Sequence, residues 1–154
     1  MGHGIFQVAS EAGKMDGIRA AMAIMRQKLL EALHRVDVFS ALSQAQLELL
    51  RDTMIEAPYN SGEWVFEQGD SGDAFYVITE GSAVVLRHEG DDDDDKILAE
   101  LSDGAYFGER ALIKNDTRYA GIRATSRKLH TMCITRANFE AVLGKLEDLI
   151  PDKY

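Results

Sequence analysis

Cysteine and clustered histidine are scarce in this sequence. Its 154 residues include a single cysteine, Cys133, and four histidines that lie far apart. One cysteine cannot form an internal disulfide, and zinc sites need several Cys and His ligands at close, regular spacing. We therefore expect no disulfide and no metal. A chain without disulfides is typical of a reducing compartment, so a cytoplasmic setting is expected.

Positive charge and long apolar segments are also scarce. Lys and Arg number 17 against 26 Asp and Glu, which gives a formal net charge of −9. Affinity for nucleic acid comes mainly from clustered cations, so we expect no nucleic-acid partner. No apolar stretch approaches the roughly twenty residues that a membrane span requires, and the start does not read as a signal peptide. An anionic ligand would therefore need a local cationic site.

The first third of the chain has the pattern of helices. Residues 1–15 are small and mixed, and they predict a disordered lead or the remnant of an expression tag. Ser43 followed by Gln46 predicts a capping box at the start of one helix within a helical subdomain over residues 16–57. Apolar residues at helical spacing predict a preceding amphipathic helix: Ile18, Met22, Met25, Leu29 and Leu33.

After Pro58 the sequence turns to short β-branched and aromatic runs separated by glycines. This texture predicts an eight-stranded, jelly-roll-like β-roll over residues 58–134, whose interior is filled by strand residues such as Phe66. At Thr135 the period becomes helical again, and Asn138 completes a capped start, so residues 135–154 predict a C-terminal hinge helix. The expected fold class is α+β, with helices flanking the roll.

Residues 91–95 are five consecutive aspartates. Like charges repel one another in a compact state, so this run predicts a solvated loop between two strands. A calcium site needs carboxylates that alternate along a loop with a glycine turn, and a contiguous run has neither. We therefore interpret the run as exposed and without a metal.

The segment FGERALIKNDTRYA, residues 107–120, has the residue types that hold a phosphate. Gly108 permits close backbone approach, and N–H groups of a turn near the small Ala111 can donate to an anion. Arg118 supplies a guanidinium that matches two phosphate oxygens. Glu109 suits a ribose hydroxyl better than a phosphate, because its carboxylate accepts hydrogen bonds. An ordinary exposed turn explains the same residues equally well, so both interpretations stay open on local chemistry alone.

A second motif, EQGDSGDAFYVITEG at residues 67–81, precedes this segment by about forty residues. Together the two motifs resemble the cyclic-nucleotide-binding domain of cAMP- and cGMP-dependent protein kinases. The resemblance covers residues 36–154 and is closest in texture to the C-terminal site of a cGMP-dependent protein kinase. It implies a 3′,5′-cyclic purine nucleotide as ligand, with cGMP favoured over cAMP, and a kinase catalytic domain as partner in cis or in trans.

The resemblance also implies a role for individual residues. It assigns the ribose 2′-hydroxyl to Glu109 and the phosphate to Arg118 and to backbone amides near Ala111. Leu112 and Phe139 match the hydrophobic positions through which such domains couple ligand binding to helix movement. The expected binding residues are Gly108, Glu109, Arg110, Ala111, Leu112, Arg118, Tyr119 and Tyr154. Arg110 stands at a position that varies in the family and suits the surface, and Tyr154 stands where the family carries an aromatic lid.

Two positions depart from the family pattern for recognising the base. Tyr119 stands where many cAMP sites carry Ala and many cGMP sites carry Thr or Ser. Ala99 replaces an arginine that favours cGMP. Three roles for Tyr119 stay open: stacking on the base, donating from its phenol, or pointing outward as an ordinary strand residue. We expect only a modest preference for cGMP.

Other classes of protein match less well. A cupin-type enzyme needs clustered His and Glu ligands, and a CAP-like transcription regulator needs a helix-turn-helix. The serious alternative is a degenerate docking or dimerisation module, although the presence of Glu109 and Arg118 weighs against it. A regulatory subunit selective for cAMP also stays open. The chain has no Gly-rich ATP loop, HRD or DFG, so we expect a regulatory fragment that is not itself an enzyme.

Overall fold

The structure is a computed structural model that describes the backbone of residues 2–90 and 94–150, and side chains from residue 11 onward within those ranges. The helices are α1 (Gly2–His34), α2 (Gln44–Thr53), α3 (Arg136–Leu143) and α4 (Leu146–Leu149), with short 3-10 helices at Asp37–Phe39 and Glu109–Leu112. The strands are β1 (Ile55–Asn60), β2 (Trp64–Phe66), β3 (Ser71–Gly72), β4 (Ala74–Glu80), β5 (Ala83–Arg87), β6 (Lys96–Leu101), β7 (Tyr106–Phe107), β8 (Asp116–Thr117), β9 (Gly121–Ala124) and β10 (Lys128–Thr135).

Two four-stranded sheets form a β-roll. One has the strand order β1-β10-β4-β7 and the other β2-β9-β5-β6, and every pairing within them is antiparallel. The two-residue strands β3 and β8 pair with each other outside these sheets. The predicted α+β class, a roll of eight principal strands between N-terminal and C-terminal helices, is confirmed.

The first strand begins earlier than expected and contains Pro58. The sequence pattern predicts that the roll begins after Pro58, whereas β1 begins at Ile55, shortly after α2 ends at Thr53. Proline cannot donate a backbone hydrogen bond, which usually excludes it from strands. Strand β1 tolerates it because β1 lies at the edge of its sheet and pairs only with β10.

Helix α1 begins at Gly2, which differs from the disordered lead expected over residues 1–15. Once a helix is nucleated, each further residue adds a hydrogen bond at little extra entropic cost. The C-terminal end of α1 is anchored in the core by Leu29 and Leu33, which are 1% and 0% exposed. In the part of the chain that is described, no helix is both long and apolar enough to cross a membrane.

The predicted helix starts at Ser43 and Thr135 are confirmed. Ser43 Oγ accepts from the Gln46 N–H at 3.1 Å, and the Gln46 side chain accepts from the Ser43 N–H at 2.8 Å. Thr135 accepts from the Asn138 N–H at 3.2 Å. The C-terminal segment is not one helix, because Gly144 adopts φ 81° and separates α3 from α4.

The main core lies between the helices and the first sheet. Phe39 anchors it, with its ring stacked on Phe139 at 5.9 Å and edge-on to Phe75 at 5.4 Å. Leu112, from the 3-10 helix at Glu109–Leu112, belongs to the same buried cluster. The N-terminal helices, the C-terminal helices and this short helix therefore share one core.

Candidate ligand-binding site

Gly108 directly precedes the short helix Glu109–Leu112 as its N-cap residue. Its φ of 83° lies in the left-handed region, which favours glycine. A Cβ at this position would come within 2.8 Å of both the Ala74 carbonyl oxygen and the Arg118 guanidinium. Gly108 is thus required both by its backbone conformation and by the space that Arg118 occupies.

Arg118 is buried, with only 6% of its surface exposed. Its guanidinium donates to the Ala74 carbonyl oxygen at 2.7 Å and lies over the Phe66 ring, with Cζ 4.1 Å from the ring centre. Its Nε–H has no hydrogen-bond partner among the described residues. No described carboxylate forms an ion pair with this side chain either.

The electrostatics around Arg118 favour an anionic ligand. Burial lowers the pKa of Arg118 from its ordinary value, and longer-range interactions with Tyr76, Asp116 and Asp73 oppose that shift. Arginine stays charged at neutral pH even so. A buried charge is costly without a close counter-charge. An anionic ligand at this site would supply that counter-charge to Arg118.

The 67–81 motif holds the backbone of Arg118. Its N–H donates to the Asp70 carbonyl oxygen and its carbonyl accepts from the Gly69 N–H, both at 2.8 Å. Next to this exchange, β3 and β8 pair Gly72 with Asp116. The two motifs that lie about forty residues apart in sequence are therefore joined directly at the arginine.

Two adjacent cavities meet at Arg118. The smaller has a volume of about 170 Å³ and is lined by Phe66, Gly108, Glu109, Arg110, Asp116, Arg118, Tyr119, Ala120 and Ile122. The larger is open, has a volume of about 710 Å³ and is lined by Gln68, Gly69, Arg87, Arg110, Asp116, Thr117, Arg118 and Tyr119. The four shared residues make these cavities neighbouring parts of one recess, whose volume is in the range of small-molecule sites.

The expected site residues occupy different parts of this recess. Glu109 is half-buried, while Arg110 is exposed and lines both cavities. Tyr119 is 66% exposed and also lines both. The side chains of Ala111 and Leu112 are each 0% exposed and face the core.

The amide and lid assignments have separate outcomes. The Ala111 N–H donates to the Gly108 carbonyl oxygen at 3.1 Å, so this amide already has a partner in the structure. Tyr154, the expected aromatic lid, lies outside the described residues. Both assignments stay predictions.

Sequence reasoning missed three contributors to the site. Phe66 was expected only to fill the roll, yet its ring supports the Arg118 guanidinium. Gly72 leaves room for that guanidinium, because a Cβ there would lie 2.2 Å from Nε. Arg87 lines the larger cavity from the end of β5. No local pattern marks these roles, because each depends on contacts between distant segments.

Residues 56–145 match the model of the cyclic nucleotide-binding domain family. The chain belongs to this family. This cyclic nucleotide-binding domain is 31% identical over 125 residues to cGMP-dependent protein kinase egl-4 of Caenorhabditis elegans, a match that covers 81% of the chain and 16% of that relative. It is 33% identical over 125 residues to the cAMP-dependent protein kinase type II regulatory subunit of Drosophila melanogaster, covering 81% of the chain and 33% of that relative.

A solved structure supports the same membership. The cyclic nucleotide-binding-like protein of Brucella abortus is 30% identical and superposes with a TM-score of 0.67, covering 75% of this chain and 97% of that one. The chain spans only 16% and 33% of the lengths of the two curated relatives described above. The similarity to them thus concerns the cyclic nucleotide-binding domain.

Proposed function

We propose that this domain binds a 3′,5′-cyclic purine nucleotide, with the phosphate at Arg118. The observation that carries the proposal is the buried guanidinium, whose Nε–H has no partner among the described residues. A phosphate oxygen supplies both the missing acceptor and the missing negative charge. Gly72 and Gly108 leave the space that the guanidinium occupies, and its hydrogen bond to Ala74 and its contact with the Phe66 ring hold it there, which favours a preorganised site.

The ribose would lie beside Glu109. This residue is half-buried, lines the smaller cavity with Arg118 and follows Gly108 directly. A carboxylate that lines the same cavity as a phosphate-binding arginine is best explained by a hydroxyl donor on the ligand. A cyclic nucleotide presents its 2′-hydroxyl and its cyclic phosphate on adjacent carbons of one ribose, which suits this arrangement.

The preferred base is proposed to be guanine, by a modest margin. The similarity to cGMP-dependent protein kinases supports cGMP, whereas the similarity to a cAMP-dependent regulatory subunit leaves selectivity for cAMP as the alternative. Discrimination by one or two polar contacts corresponds to about 1–3 kcal/mol. With Ala99 and Tyr119 in place of the usual discriminating residues, we expect the lower end of that range.

We further propose that binding is transmitted to a serine/threonine kinase catalytic domain, in cis or in trans, in the cytoplasm. Leu112 is packed in the same core as Phe139 of α3. Asn115 accepts a hydrogen bond at 2.6 Å from Arg136, the first residue of α3. Movement of the phosphate-binding segment would thus reach α3 through two contacts. A coupling free energy of about 1–3 kcal/mol is ordinary for such regulation.

The test is calorimetric titration with cGMP, cAMP, 5′-GMP and guanosine. We expect both cyclic nucleotides to bind and guanosine, which lacks the phosphate, to bind at least a hundredfold more weakly. Arg118→Ala should abolish this difference, because it removes the charged partner of the phosphate. The matched control is Arg123→Ala. Arg123 lies on β9, donates to the Gly62 carbonyl oxygen and lines neither cavity. Absence of binding by the wild-type domain would favour the docking-module alternative.

A further inference from the structure

Arg87 and Tyr119 form a close pair at the larger cavity. The Arg87 guanidinium lies over the Tyr119 ring, with Cζ 3.9 Å from the ring centre. The same guanidinium donates to the Tyr119 carbonyl oxygen through Nη1. One side chain therefore fixes both the backbone and the ring of the residue that follows Arg118.

The surroundings of Arg87 hold it in this position. Its Nε lies 3.5 Å from a Glu89 carboxylate oxygen, an ion pair that includes no hydrogen bond from this Nε, and Glu89 also pairs with Lys96 at 3.3 Å. Its backbone pairs with Lys96 between β5 and β6. Three-quarters of its side chain is buried, at 25% relative exposure. Arg87 is thus a fixed support rather than a freely moving surface cation.

The nearby glutamine does not compete for this role. The Gln68 side chain donates to the His88 carbonyl oxygen at 3.0 Å and accepts from the His88 N–H at 2.7 Å. Both ends of its amide are therefore used in fixing the turn after β5. With Arg87 held against Tyr119, the side chains left to meet a ligand in the larger cavity are Arg110, Asp116, Thr117, Arg118 and Tyr119.

Tyr119 itself offers an unused aromatic surface. It is 66% exposed although Arg87 lies over its ring, and it lines both cavities. An aromatic ring held rigidly at a cavity wall is suited to stacking on a planar ring system, because little side-chain entropy remains to be lost. Since Tyr119 adjoins Arg118 in the chain, a ligand with its phosphate at Arg118 brings its base within reach of this ring.

We infer that Arg87 is a positioning residue that holds Tyr119 as the stacking platform for the base of the nucleotide. This inference rests on the proposed function. Arg87 acts through Tyr119 and does not read the base itself. Stacking uses the face of the ring and not its edge, so the platform accepts adenine and guanine alike and favours purines, whose stacking area is larger, over pyrimidines.

The experiment measures the affinities of Arg87→Ala, Tyr119→Ala and the double variant for cGMP, cAMP and cCMP. We expect each single variant to bind both purine nucleotides about tenfold more weakly and to lose less affinity for cCMP. The double variant should bind no more weakly than Tyr119→Ala alone, because Arg87 acts through that ring. Tyr119→Phe, which keeps the ring, should recover most of the affinity that Tyr119→Ala loses.

The control is Arg123→Ala, which removes an arginine with similar contacts, a carbonyl bond to Gly62 and a ring partner in Trp64 at 5.6 Å. It should leave all three affinities unchanged. If Arg87→Ala weakened binding as much in the Tyr119→Ala variant as in the wild type, the inference would be overturned, since Arg87 would then act on the ligand directly. Unchanged affinity in Tyr119→Ala would overturn it too, without affecting the proposed function. If the wild-type domain bound none of the three nucleotides, both would be wrong.

Discussion

Gly72 and Arg118 are packed so tightly that no side chain fits between them. A Cβ on Gly72 would lie 2.2 Å from Nε and 2.4 Å from Cζ of Arg118. The backbone of Gly72 is not in the left-handed region, so its conformation alone would accept other residues. Glycine is needed at this position because of the guanidinium that it touches.

Gly72→Ala should therefore weaken nucleotide binding by moving Arg118. We expect cGMP affinity to fall at least tenfold, since a small misplacement of a bidentate donor loses much of its interaction. Calorimetry measures the affinity and thermal unfolding verifies the fold. The control is Gly17→Ala in α1, where a Cβ would meet nothing within 4 Å. That change should leave affinity unaltered and stabilise the helix by about 1 kcal/mol. An unchanged affinity in Gly72→Ala would show that Arg118 does not hold the ligand.

Glu109→Ala should selectively remove recognition of the ribose. Affinity for cGMP should fall by roughly tenfold, because a hydrogen bond to a charged group is lost. Affinity for the 2′-deoxy analogue should hardly change, since the bond exists only when both partners are present. Calorimetric titration of the wild type and of Glu109→Ala with each of the two ligands measures the interaction between Glu109 and the 2′-hydroxyl. Equal losses for the two ligands would contradict the assignment of Glu109 to the 2′-hydroxyl.

Tyr59 should make the domain less stable in alkali. Burial raises the pKa of Tyr59 to about 12, above its ordinary value near 10. The unfolded chain therefore releases this proton first, and the contribution to stability is intact below pH 10 and lost as pH rises towards 12. Between about pH 9 and pH 11 the free energy of unfolding should fall by about 1 kcal/mol more in the wild type than in Tyr59→Phe. Urea unfolding at each pH measures the free energy of unfolding. Equal decreases with pH in the wild type and in Tyr59→Phe would contradict the prediction.

The aspartate run should be dispensable for binding. Exposed carboxylates contribute little to stability, and adjacent ones repel each other. Residues 91–93 lie outside the described residues, and Asp95 pairs with His88 at 3.5 Å on the surface. Replacing residues 91–95 with Gly and Ser should leave cGMP affinity unchanged in calorimetry. Loss of binding in this variant, together with wild-type binding that requires calcium, would support a metal site instead.

The features that could be predicted from the sequence are those set by local chemistry. The caps at Ser43 and Thr135 depend on residues three positions apart, and both were predicted correctly. Strand β7, only two residues long at Tyr106–Phe107, has too little sequence to carry a pattern. The predicted start of β1 was wrong because of Pro58. An edge strand accepts a proline, and only the tertiary fold places β1 at the edge of its sheet.

The residues of the candidate site also fall into two groups: those that a local sequence motif marks and those that it does not. Gly108 and Arg118 are marked by the motif in which they lie, and the structure places them in contact. Phe66, Gly72 and Arg87 act through packing against residues that are distant in sequence, which no periodicity reports. The binding roles of the motif residues stay predictions until a ligand is measured.

The most direct test of the central claim compares the thermal stability of Arg118→Met with that of the wild type, with and without cGMP. Replacing an unpaired buried cation by an apolar side chain of similar length should leave the ligand-free melting temperature unchanged or raise it. At cGMP one hundred times the wild-type Kd, linkage stabilises the wild type by about 2.7 kcal/mol, which raises its melting temperature by roughly 5–10 °C. Arg118→Met should show a shift below about 1 °C under the same conditions. Equal shifts in the two proteins would contradict the assignment of the phosphate to Arg118.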